Sequence, residues 1–95
     1  MDNNLTGLFP LGQLVTTPGA LRALLRAQQS PTEFLNRHVQ GDWGDLCAED
    51  IAENTFALAH GLRLLSNYTT AAGDRLWLIT EEDRSSTTFL LPDEY

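Results

Sequence analysis

Gly61-Leu62-Arg63-Leu64-Leu65-Ser66-Asn67-Tyr68-Thr69 is where the hydrophobic spacing changes from helical to alternating, and the fold follows from that change. Downstream of it, Leu62–Thr69, Arg75–Glu81 and Ser86–Leu91 read as three strands, rich in Leu, Ile, Tyr, Trp, Phe and Thr. Ala71-Ala72-Gly73-Asp74 joins the first two as a hairpin and Glu82-Asp83-Arg84-Ser85 joins the last two, which predicts an antiparallel meander. Pro92 ends the last strand. The middle strand puts Leu76 and Leu78 on one face and Trp77 and Ile79 on the other, so its second face needs at least partial cover.

Upstream of Gly61 the pattern predicts a third helix, capped by Asp42, reaching about His60 and closed by Gly61. Asp45 would reach back to the first turn, where the helix dipole favours both acids. At about 100° per residue, Trp43, Cys47, Ile51, Asn54 and Leu58 fall on one face, the expected core face. Asp42, Asp45, Glu49 and Glu53 fall on the opposite face and His60 continues the line. Phe56 projects from the middle of this acidic stripe, where a purely solvated face would not place an aromatic ring.

Two shorter helices come before. Gly12–Thr17, with Leu14 and Val15 beside two threonines, reads as a short strand or extended lead-in. Thr17 then caps a first helix over about Pro18–Gln28, with Pro18 at the first helical position and Leu21, Leu24 and Leu25 at helical spacing. Ser30-Pro31-Thr32-Glu33 is a capping-box pattern for a second, with Phe34, Leu35, His38 and Val39 as its apolar face before Gly41. Gly41-Asp42-Trp43-Gly44 reads as a tight turn locked by a buried Trp43. Residues 1–95 form one small domain in this reading, with 1–7 as a flexible N-terminus.

Composition narrows the function classes. Ninety-five residues with 6 Arg, no Lys and 13 Asp+Glu carry a net charge of −7. At that length a two-domain enzyme is not expected. Scattered arginines in an acidic chain disfavour direct nucleic-acid binding, which needs clustered Lys and Arg, and favour a basic partner. No apolar run approaches the roughly 20 residues that span a bilayer, so no membrane association is expected. The first Arg or Lys is Arg22, so a secretory or mitochondrial leader is not expected. With a single cysteine the chain fits a reducing, cytoplasmic setting.

Few residues could carry chemistry. His38, Asp42, Asp45, Cys47 and His60 are the candidate metal ligands, but no C-x-x-C, H-x-x-x-H or H-E-x-x-H spacing is present. Cys47 near a helix N-terminus, with His38 as base, would make a nucleophile, yet the helical phase places Cys47 among core residues. Capping already accounts for the Asp42/Asp45 pair. No cofactor is called for. A row of carboxylates around an aromatic ring instead suits an interface with an Arg-rich surface.

His38-Val39-Gln40-Gly41-Asp42-Trp43-Gly44-Asp45-Leu46, followed by Glu49-Asp50, and later Arg75-Leu76-Trp77-Leu78-Ile79-Thr80-Glu81 and Leu90-Leu91-Pro92-Asp93-Glu94-Tyr95, resemble a group of small plasmid-, phage- and island-encoded bacterial accessory proteins. The resemblance runs from Leu8 onward. It implies a mobile-element setting, in which small acidic proteins bind and disable host or rival machinery. Some of that group carry a restriction-modification label, but this chain has neither an S-adenosylmethionine glycine loop nor an Asn/Asp-Pro-Pro-aromatic motif.

The sequence therefore predicts an α+β fold, three helices packed on a three- to four-stranded, mostly antiparallel sheet. The acidic face predicts a non-enzymatic protein-binding protein, and the resemblance implies a mobile-element accessory role, a counter-defence inhibitor of the anti-restriction or anti-CRISPR kind. The expected surface is Asp42, Asp45, Glu49, Glu53, Phe56 and His60, with Trp43, Asn54, Gly41 and Gly61 in structural roles. The alternatives are a small enzyme or metal protein using His38, Cys47 and His60, and a self-associating protein that dimerises through an exposed strand face or an edge strand.

Overall fold

The computed structural model describes residues 7–95, so the expectation for residues 1–7 falls, Gly7 apart, outside the described residues. The chain runs β1 (Gln13–Thr16), α1 (Pro18–Ala27), α2 (Pro31–Val39), α3 (Ala48–His60), β2 (Leu64–Thr69), β3 (Arg75–Thr80), β4 (Ser86–Leu90) and a final 3₁₀ turn, Pro92–Glu94. The fold is α+β, as expected. Among the described residues four strands form one sheet in the order β1-β4-β3-β2, with β2, β3 and β4 as the antiparallel meander and β1 added parallel to β4.

Local signals set the first two helices. The Thr17 hydroxyl accepts the Ala20 N–H at 3.2 Å, and Pro18 occupies the first turn. Ser30 caps α2 by accepting the Thr32 N–H at 3.2 Å. The predicted reciprocal capping box does not form: the Glu33 N–H goes to the Ser30 backbone carbonyl, and the Glu33 carboxylate is engaged at 2.9 Å by the Gln29 side-chain amide.

Register divides the sheet into two faces. Leu64, Ser66 and Tyr68 of β2, Leu76, Leu78 and Thr80 of β3, and Thr87 and Phe89 of β4 are all buried on one face. Ala20, Ala23 and Leu24 of α1 and Phe34, Leu35, His38 and Val39 of α2 supply the buried helical side of the core. Burial of these side chains, at about 25 cal/mol per Å² of apolar surface, is the main stabilising term. On the other face Tyr95 meets Trp77 edge-on at 5.7 Å, the cover that the apolar second face of β3 requires. Glu94 ties this tail down by accepting the Thr17 hydroxyl at 2.5 Å and the Gly19 N–H at 3.0 Å.

The third helix begins later than its sequence pattern indicates. Cys47, not Asp42, is its N-cap residue, and Cys47 makes no side-chain cap bond. The backbone ahead of it pairs with a strand instead. The Trp43 carbonyl accepts the Asn67 N–H at 3.0 Å and the Asp45 N–H donates to the Asn67 carbonyl at 2.6 Å. Gly44 lies between them at φ +78°, where a Cβ would collide with the Asn67 carbonyl. Backbone committed to a strand is not free to start a helix. The core face shifts accordingly: Asn54 and Ala57 are buried and Leu58 half-buried, whereas Cys47 and Ile51 are exposed.

Candidate protein-binding surface

The structure splits the predicted acidic stripe in two. Asp42 leaves it, because its carboxylate takes the Arg37 guanidinium at 2.7 Å and the Gly44 N–H at 3.2 Å. The bond from Arg37 holds the Asp42 carboxyl below its ordinary pKa. Asp45 leaves it too, accepting the Thr69 hydroxyl at 2.9 Å. Both acids brace the loop before α3 rather than extend a helix face. Gly41 gives the chain its positive-φ exit from α2, and the Tyr68 hydroxyl fixes that loop by donating to the Asp42 carbonyl at 2.7 Å.

Glu49, Glu53, Phe56 and His60 remain together. They share one flank of α3, all exposed, within about 60° on a helical wheel. Phe56 is 58% exposed and packs edge-to-face on His60, with ring centroids 4.0 Å apart. Beside them lies an open groove of about 530 Å³ lined by Ala52, Glu53, Phe56, Ala57, Leu62 and Arg63. Arg63 is held at one wall by Tyr95, whose hydroxyl accepts at 2.9 Å, and by Glu81 at 3.5 Å.

Leu62 and Arg63 were not among the expected residues. They could have been found from the Gly61 stop. A glycine cap at φ +68° turns the chain back so that the next N–H, that of Leu62, reaches the Ala57 carbonyl at 2.9 Å, and the residue after such a cap packs on the last helical turn. Arg84 reinforces this end, donating to the Leu62 carbonyl at 2.7 Å and to Ala57 at 3.5 Å.

Asn54 and Trp43 take structural positions. Trp43 is buried and stacks on Phe9 at 6.2 Å. His38, on the apolar face of α2 as its spacing predicts, is fully buried between Phe9, Trp43 and the sheet. Its ring lies 2.6 Å from Ser66 Oγ through Nδ1 and 2.9 Å from Thr80 Oγ1 through Nε2. The direction of this chain is fixed from its far end. Thr87 donates to the Leu11 carbonyl at 2.8 Å, so Thr80 must donate to Thr87 and can only accept from Nε2–H. Nδ1 is then the acceptor of the Ser66 hydroxyl, which defines a neutral imidazole.

His38, Cys47 and His60 do not meet. Cys47 and His60 stand at opposite ends of α3, about 20 Å apart along the axis, and His38 is enclosed in the core. Among the described residues no three His, Cys, Asp or Glu side chains are grouped to hold a metal ion, and no helix is long and apolar enough to cross a membrane. No protein-family model, curated protein or solved structure gives a significant match to this chain.

Proposed function

We propose that this protein is a non-enzymatic binding module that receives a basic segment of a partner protein on the outer flank of α3. The observation that carries this reading is Phe56, more than half exposed at the rim of a groove that Glu53 also lines, with Glu49 one turn further along the same flank. An exposed aromatic beside an apolar groove provides the desolvated anchor that interfaces depend on, and the carboxylates around it select Arg or Lys at the rim. The partner segment therefore carries an apolar side chain for the groove and cations to meet Glu49 and Glu53. Asp42 and Asp45 support this surface through the loop before α3, and His60 positions the Phe56 ring. The finer reading, a counter-defence inhibitor from a mobile element, rests on the sequence resemblance.

Affinity capture tests the surface, with wild type, Phe56→Ala and the double variant Glu49→Arg/Glu53→Arg as baits. The expected result is a basic partner retained at low salt, released at high salt, and lost with both variants while circular dichroism stays unchanged. A partner held equally by all three baits removes this flank from consideration.

A further inference from the structure

The two edges of the sheet are built differently. Along the middle of β2 the outward backbone groups are occupied, those of Leu65 by the Asn54 side chain and those of Asn67 by Trp43 and Asp45. On β1 they are not. Gln13 and Thr17 donate to the Ser85 and Phe89 carbonyls at 2.9 and 3.0 Å, so odd-numbered positions face β4 and the N–H and C=O of Leu14 and Thr16 point away from the sheet. Among the described residues nothing pairs with that side. Leu14 is 47% and Val15 41% exposed. From Gly7 to Leu21 the chain has no charged residue, so β1 lacks the lysines and inward charges that usually protect an open edge.

We infer that β1 pairs antiparallel with β1 of a second copy about a two-fold axis at Val15, joining the two sheets into one. This register sets Leu14 of each copy opposite Thr16 of the other, and the two pairs exchange four backbone hydrogen bonds. Val15 faces its own copy on the outer face, prolonging the row Leu65, Ile79, Thr88, Val15 that the register aligns across the sheet. Pro18, with no N–H, ends the seam. Charge favours a second copy as the occupant. Two chains of net charge −7 can approach along an uncharged strand, whereas a basic foreign strand would find no carboxylate on β1 to meet. Because the middle of β2 is covered by α3 and the segment before it, β1 is the open edge among the described residues, and assembly closes at a dimer rather than growing into a fibre. The seam is short, so the dimer dissociates on dilution. It leaves the α3 flank free and does not depend on the function proposed for it.

Sedimentation equilibrium across rising protein concentration tests this with wild type, Val15→Glu and Val15→Lys. The two-fold puts residue 15 against itself, so each single variant is expected to associate about tenfold or more weakly, like charges directly opposite being destabilising. An equimolar mixture of the two variants is expected to recover association. In wild type, amide exchange at Leu14 and Thr16 should slow with concentration while that of Val15, already facing β4, does not change; this readout needs no variant to fold. A wild type that stays monomeric up to millimolar concentration, a dimer indifferent to Val15→Glu, or a mixture that stays apart overturns the inference.

Discussion

Asn54 on α3 engages both backbone groups of Leu65 on β2: its amide donates to the Leu65 carbonyl at 2.6 Å and its carbonyl oxygen accepts the Leu65 N–H at 3.1 Å. One side chain thus stands in for a neighbouring strand and fixes the helix to the sheet edge. Replacing Asn54 with Leu removes two hydrogen bonds and leaves two backbone groups without their protein partner, a loss of about 2–3 kcal/mol. Urea unfolding should show a lower midpoint with an unchanged slope.

Burial, with the nearby Arg84 charge adding to it, pushes the His38 pKa down from 6.5 to about 4. Between those values the unfolded chain binds the proton and the folded chain does not, so stability is full above 6.5 and falls as the pH drops toward 4. The complete loss across that window is about 3 kcal/mol. Asp42, whose carboxyl is held down by Arg37, loses its contribution only at lower pH, so the two effects separate along the pH axis. Urea midpoints measured from pH 7.5 to pH 4 should slope for wild type. A His38→Gln variant should be less stable at neutral pH and flatter across the window.

Most of this architecture was readable because its determinants are local. Thr17-Pro18, Ser30-Pro31 and Gly61 act within one helical turn, and the meander follows from period-two stretches joined by short turns. The start of α3 was not readable in this way. Asp42 and Asp45 satisfy a capping pattern, but Asp42 also forms a turn with the Gly44 N–H, and the choice is made by Asn67 on a strand far along the chain. The hydrogen-bond partners of His38 were unreadable for the same reason. The hydroxyls that make its burial tolerable come from Ser66 and Thr80, 28 and 42 positions away. On the candidate surface, Glu49, Glu53, Phe56 and His60 lie within one regular helix, so their common flank survived.

Arg84 adopts φ +60° and donates to the Glu81, Leu62 and Ala57 carbonyls, filling the end of α3 from the β3–β4 turn. Both Arg84→Ala and Arg84→Gly lose those contacts, but alanine alone keeps the unfavourable backbone angle. Arg84→Ala should therefore be the less stable of the two by about 1 kcal/mol, read from thermal or urea unfolding. Equal stabilities would mean that the turn relaxes once the guanidinium is gone.

The division of the acidic residues makes reversal at Asp42 differ from reversal at Glu53. Asp42→Arg sets a cation against Arg37 and removes the acceptor of the Gly44 N–H, so it should cost about 1 kcal/mol or more in stability. Glu53→Arg replaces an exposed side chain for which no bond is found among the described residues, and should leave stability within about 0.5 kcal/mol. If α3 is the binding flank, the order inverts for partner affinity: Glu53→Arg weakens it in a salt-dependent way, while Asp42→Arg acts only as far as it disturbs the loop ahead of Cys47. Unfolding curves and partner titrations on the same two variants therefore separate a charge that holds the fold from one that meets a partner.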